Sequence, residues 1–169
     1  MINIGKKFKN FGLLEVLVFA SAFYVILMLI WTATTRNAVL EKANSIKSNH
    51  KSVVKLLNNE VNKCSQDLQK LTSWGENCNS TWTSPAIVGY ILNNIKLKNP
   101  YSISKPLIQS SSDPRIDAEG KAGQSTNKGV IFVSLNDFSA EPGSEWIVGT
   151  CVKSPCVAAG NNELVSVYR

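Results

Sequence analysis

Four cysteines stand in two close pairs, Cys64 with Cys78 and Cys151 with Cys156. Thiols so placed can oxidise to disulfides or ligate zinc. No CxxC spacing is present, and His50, the sole histidine, is distant from the second pair, which disfavours zinc. Closeness along the chain favours a bridge within each pair, although four cysteines allow other connectivities. Disulfides persist in the bacterial periplasm or outside the cell, so cysteine usage points to an exported domain.

Other reactive side chains offer less. His50 sits among Ile46, Val53 and Val54 and reads as a packed residue with no chemistry of its own. Asp113, Asp117 and Glu119 are close enough to suggest calcium, but they lack the spacing of an EF-hand loop and read as a solvated segment. There is no Gly-rich phosphate loop and no acid pair in an identifiable pocket. The chain therefore reads as a structural protein rather than an enzyme, with no cofactor and no metal.

Glu15 is different, because of what surrounds it. From Val16 to Thr35 only the phenol of Tyr24 is ionisable, and about 20 apolar residues in a helix match the hydrocarbon thickness of a bilayer. A carboxylate at the edge of such a run asks for a partner, since burial in lipid costs about 2.5–3.5 kcal/mol on the most lenient scale. Lys6, Lys7 and Lys9 precede the run. By the positive-inside rule they keep the N-terminus cytoplasmic and send the rest of the chain across the membrane. The run exceeds the apolar region of a secretory signal, and no small-x-small cleavage site closes it before Arg36.

Basic leader, aromatic Phe11, two aliphatic residues after Gly12, then Glu15 and an unbroken apolar helix: this order resembles the N-terminus of type IV pilins and pseudopilins. The resemblance implies cleavage between Asn10 and Phe11 by a prepilin peptidase, methylation of the new amine, and pairing of Glu15 with the N-terminal amine of a neighbouring subunit. It also implies an inner-membrane precursor with a periplasmic head. The pilus machinery then assembles it with copies of itself into an extracellular helical filament. The family has Gly before the cut, whereas this chain has Asn10, with Gly12 on the other side of Phe11.

The elements that must position these residues follow from pattern. No Gly or Pro lies between Leu13 and Trp74, so one helix of about 90 Å is expected, capped by Gly75. Past Arg36, Val39, Ala43, Ile46, His50, Val53, Leu57, Val61, Cys64, Leu68 and Leu71 recur every three or four positions and form one stripe. Lysines, Asn58, Asn59 and Glu60 fill the other faces. Cys64 within the stripe argues for packing on the chain's own head rather than a coiled-coil stalk. Ser84-Pro85 opens a second helix with Ser84 as N-cap and an apolar face of Ile87, Val88, Ile91, Leu92 and Ile95. Residues 99–128 read as a long loop. Runs at 130–135, 145–152 and 163–168 read as three strands in an antiparallel meander.

The expected fold is therefore α+β, a long N-terminal helix packed on a small antiparallel sheet. Residues 1–10 are the leader, 11–35 the membrane and assembly half of the helix, and 36–169 the head. The expected function is that of a subunit of a type IV pilus-like filament. The alternatives are a type II secretion pseudopilin or minor pilin, and an uncleaved single-span membrane protein with a periplasmic binding head, which Asn10 favours. Nucleic acid is a weaker expectation. Much of the net charge of +6 belongs to the leader, and lysines on an amphipathic helix are its solvated face.

Overall fold

A computed structural model describes residues 12–95, 97–114, 127–135 and 145–169. Helix α1 runs Leu13–Gln66 and helix α2 Ser84–Asn94. Strands β1 (Ile108–Ser110), β2 (Ile131–Leu135), β3 (Glu145–Cys151) and β4 (Asn162–Tyr168) complete an α+β chain. It divides into two compact units at Glu41/Lys42, within α1.

In the first unit α1 is exposed on every side. Its apolar surface includes Phe19, Phe23, Leu27 and Trp31. Weak helix formers here do not interrupt it. Thr32, Thr34 and Thr35 turn their hydroxyls back to the carbonyls of Leu29, Ile30, Trp31 and Thr32 at 2.9–3.1 Å. Each hydroxyl is thereby satisfied inside the helix, which is what an apolar surrounding requires.

In the second unit α1 buries Ala43, Ile46, His50, Val53, Leu57, Glu60 and Cys64, a stripe whose steps alternate three and four. Glu60 takes the place expected for Val61, which is half-buried. The stripe shares one core with Ile131 and Val133 of β2, Trp146 and Val148 of β3, Val167 of β4, and Ile87 and Ile91 of α2.

Helix α1 stops well before Gly75. Asp67 Oδ1 accepts the Gln69 N–H at 3.0 Å, and the Asp67 carbonyl accepts that of Lys70, a local turn that competes with the helix. The chain then folds back: Leu71 bridges Asn77 antiparallel, and the Cys78 N–H reaches the Lys70 carbonyl at 2.9 Å. Gly75, with φ +88°, serves this reversal instead of a helix cap; its positive φ suits glycine. Leu68 and Leu71, having left the helix, are exposed.

Helix α2 has Thr83 rather than Ser84 as its N-cap residue, with Pro85 in the first turn. The Thr83 hydroxyl does not cap; it donates to Glu76 Oε1 at 2.8 Å. The expected apolar face packs on the core through buried Ile87 and Ile91 and partly buried Val88 and Ile95, whereas Leu92 is half exposed.

The sheet order is β1-β2-β3-β4. The three expected strands form antiparallel pairs, with Val133 opposite Val148 and Val148 opposite Val165. A fourth strand makes the sheet mixed: β1 runs parallel to β2, Ile108 opposite Ile131. It lies within the stretch expected to be loop, and its three residues IQS are too short and polar for a strand pattern. Central strands β2 and β3 are buried on both faces, so they read as continuous apolar runs rather than alternating ones.

Candidate assembly site

The acid singled out by the sequence stands at the start of α1. Gly12 precedes the first helical residue, and its carbonyl accepts the Glu15 N–H at 3.0 Å and the Val16 N–H at 3.3 Å. The Glu15 side chain bends back, and Oε2 accepts the Gly12 N–H at 3.2 Å. This is the acidic half of a capping box, and it sets a negative charge at the positive end of the helix dipole. Behind the acid lies the uncovered apolar surface. Among the described residues α1 is the one helix long and apolar enough to cross a membrane. Asn10 and Phe11, the expected cleavage pair, lie outside the described residues.

The cysteines are joined as Cys64–Cys78 and Cys151–Cys156, with Cα separations of 5.1 and 5.2 Å, inside the usual span for a bridge. The first ties the buried stripe of α1 to the reversal after it. The second closes the turn that follows β3.

Around the first bridge stands a polar frame that sequence reasoning missed. Glu60 Oε2 accepts the backbone N–H of Ser73 at 2.9 Å, and Oε1 accepts its hydroxyl at 2.5 Å. Glu76 accepts from the Trp74 indole, the Thr83 N–H and the Thr83 hydroxyl at 2.8–3.0 Å. Arg169 donates to the carbonyls of Cys78 and Ser80 and stacks its guanidinium 4.3 Å over the Trp82 ring. Burial lowers the Arg169 pKa from its ordinary value, and the charge of Glu76 opposes that. The available signal was the stripe itself: the steps from Val53 through Leu57 to Cys64 admit Glu60 as well as Val61. Nothing local marks Arg169, whose partners are remote in sequence.

His50 is buried, as expected of a packed residue, and it is also polar-bonded. Its Nε2 lies 3.1 Å from the Val148 carbonyl and its Nδ1 3.4 Å from Glu163 Oε2. Glu163 Oε1 lies 3.1 Å from Lys47 Nζ. Burial pulls the imidazole below its ordinary pKa, while the Val148 carbonyl and the Glu163 carboxylate oppose this. Asp113 is described, whereas Asp117 and Glu119 lie outside the described residues. Among those described, no group of three or more His, Cys, Asp or Glu side chains is placed to hold a metal.

No protein-family model, no curated protein and no solved structure matches this chain.

Proposed function

We propose that this protein is a structural subunit of a type IV pilus-like filament, assembled through packing of its N-terminal helices. The observation that carries the reading is the division of α1. Up to Glu41 no helical side chain is buried by its own chain, whereas from Ala43 to Cys64 one stripe is buried in the core. An uncovered apolar helix needs lipid or other helices, and a filament core offers the second after the first. Glu15, at the head of that helix, is the acid that a neighbour's Phe11 amine would meet. A pseudopilin or minor pilin uses the same device.

The single-span reading has one observation in its favour. Glu15 already accepts the Gly12 N–H, so the acid has a partner within its own chain.

The experiment is to follow N-terminal mass and sheared filaments in the native protein and in Glu15→Ala, Glu15→Asp and Asn10→Gly. The filament reading expects a mature chain beginning at Phe11, loss of filaments in Glu15→Ala with membrane levels unchanged, and a milder defect in Glu15→Asp. Asn10→Gly speeds leader removal if that residue limits it. Normal filaments from Glu15→Ala, or Met1–Asn10 retained within filaments, overturn the amine-to-acid pairing.

A further inference from the structure

His50 belongs to the buried stripe of α1, yet both of its ring nitrogens face acceptors on the sheet. Nε2 lies 3.1 Å from the Val148 carbonyl of β3, and Nδ1 lies 3.4 Å from the Glu163 carboxylate of edge strand β4. A neutral imidazole has one N–H. The Val148 carbonyl can only accept, so the neutral ring carries its proton on Nε2. It then turns the lone pair of Nδ1 toward a carboxylate, a contact with no attraction in it. The other oxygen of Glu163 meanwhile holds Lys47 at 3.1 Å.

We propose that His50, Glu163 and Lys47 form a proton-sensitive clamp between helix α1 and strand β4. Glu163 is held by Lys47 through Oε1 while the imidazole is neutral, and its Oε2 accepts from Nδ1–H as well once the ring is protonated. The proton comes from water: His50 and Glu163 line an open cleft of about 310 Å³ with Lys51, Lys55 and Asn58. Among the described residues, the charged groups around this cluster are Lys47, Lys51 and Lys55 on α1 and Glu163 on β4, while β3 presents the Val148 carbonyl. Burial opposes the imidazolium. Glu163 is the one carboxylate in the cluster that favours it. The strand carrying Glu163 is a sheet edge, so gaining a second charged partner changes how firmly that edge is held to the helix. This clamp works whatever the chain assembles into.

The chain has one histidine, so its imidazole nitrogens are assigned without ambiguity. The test follows them by long-range proton–nitrogen NMR in the full chain, held in detergent micelles, as pH is lowered. The expected result is a single Nε2–H tautomer at neutral pH that converts to imidazolium on acidification. Glu163→Gln weakens proton binding about threefold, and Lys47→Met strengthens it about threefold, a shift reduced from that of a buried pair because both side chains are partly solvated. An Nδ1–H tautomer, or a titration unmoved by Glu163→Gln, overturns the clamp. A titration unmoved by Lys47→Met overturns the sharing of Glu163. The two variants stand independently, so loss of folding in one leaves the other decisive.

Discussion

Glu60 grips Ser73 with both carboxylate oxygens, one on the backbone N–H at 2.9 Å and one on the hydroxyl at 2.5 Å. The acid is buried within the stripe of α1, and through it the helix holds the reversal that Cys64–Cys78 also closes. Hydrogen bonds to a charged acceptor contribute about 1.5–3 kcal/mol. Glu60→Ala is expected to destabilise the head by about 2 kcal/mol, and Glu60→Gln by less, since an amide oxygen can still accept from the Ser73 N–H. Thermal unfolding of the full chain in detergent ranks the two; equal losses would show that shape rather than hydrogen bonding sets the cost.

The bridges should differ in what they contribute. Cys64–Cys78 closes a separation of 14 residues and Cys151–Cys156 one of 5, for which chain-entropy arguments give about 3 and about 2 kcal/mol. Peptide mapping without reduction is expected to find both pairings. Removal of the first by Cys64→Ser with Cys78→Ser is expected to lower the unfolding midpoint more than removal of the second. Free thiols throughout, or a bridge from Cys64 to Cys151, would contradict the pairing.

Arg169 couples β4 to the loop after α1 through two carbonyls and the Trp82 face. Arg169→Ala is expected to cost about 1–3 kcal/mol, because two carbonyls lose a charged donor. Arg169→Lys is expected to recover little, since an ammonium lacks the planar fork that stacks and donates at once. Denaturant titration monitored by tryptophan fluorescence reads both stability and the surroundings of Trp82.

Stability should fall on mild acidification. Burial holds His50 below its ordinary pKa of 6.5 in the folded chain, so the unfolded chain takes up the proton first as pH drops. The contribution of His50 is complete above about pH 6.5 and is lost as pH falls below that toward the folded value. The denaturation midpoint is expected to be higher at about pH 7.5 than at about pH 5.5, a window above most carboxylate titration. His50→Gln is expected to flatten the slope there; an unchanged slope would place its origin elsewhere.

Much of this protein can be read directly from the order of its residues. The unbroken apolar run from Val16, the three-and-four spacing past Arg36, the apolar runs of β2, β3 and β4 and the near pairing of cysteines are all local patterns. Local patterns depend only on backbone period and chain proximity. Tertiary structure alone decided the rest. Helix α1 ends at Gln66 because the Asp67 turn and the fold-back to Cys78 outcompete its continuation, although neither Gly nor Pro marks the place. Glu60 became a core residue because Ser73 returns to meet it. Strand β1 exists because β2 supplies a ladder for three residues with no strand pattern of their own. His50, Glu163 and Lys47 come together only when β4 lies beside α1, and Arg169 finds Trp82 and the Cys78 carbonyl from the far end of the chain. A charge's partners across such distances are settled by packing, which no spacing along the chain encodes.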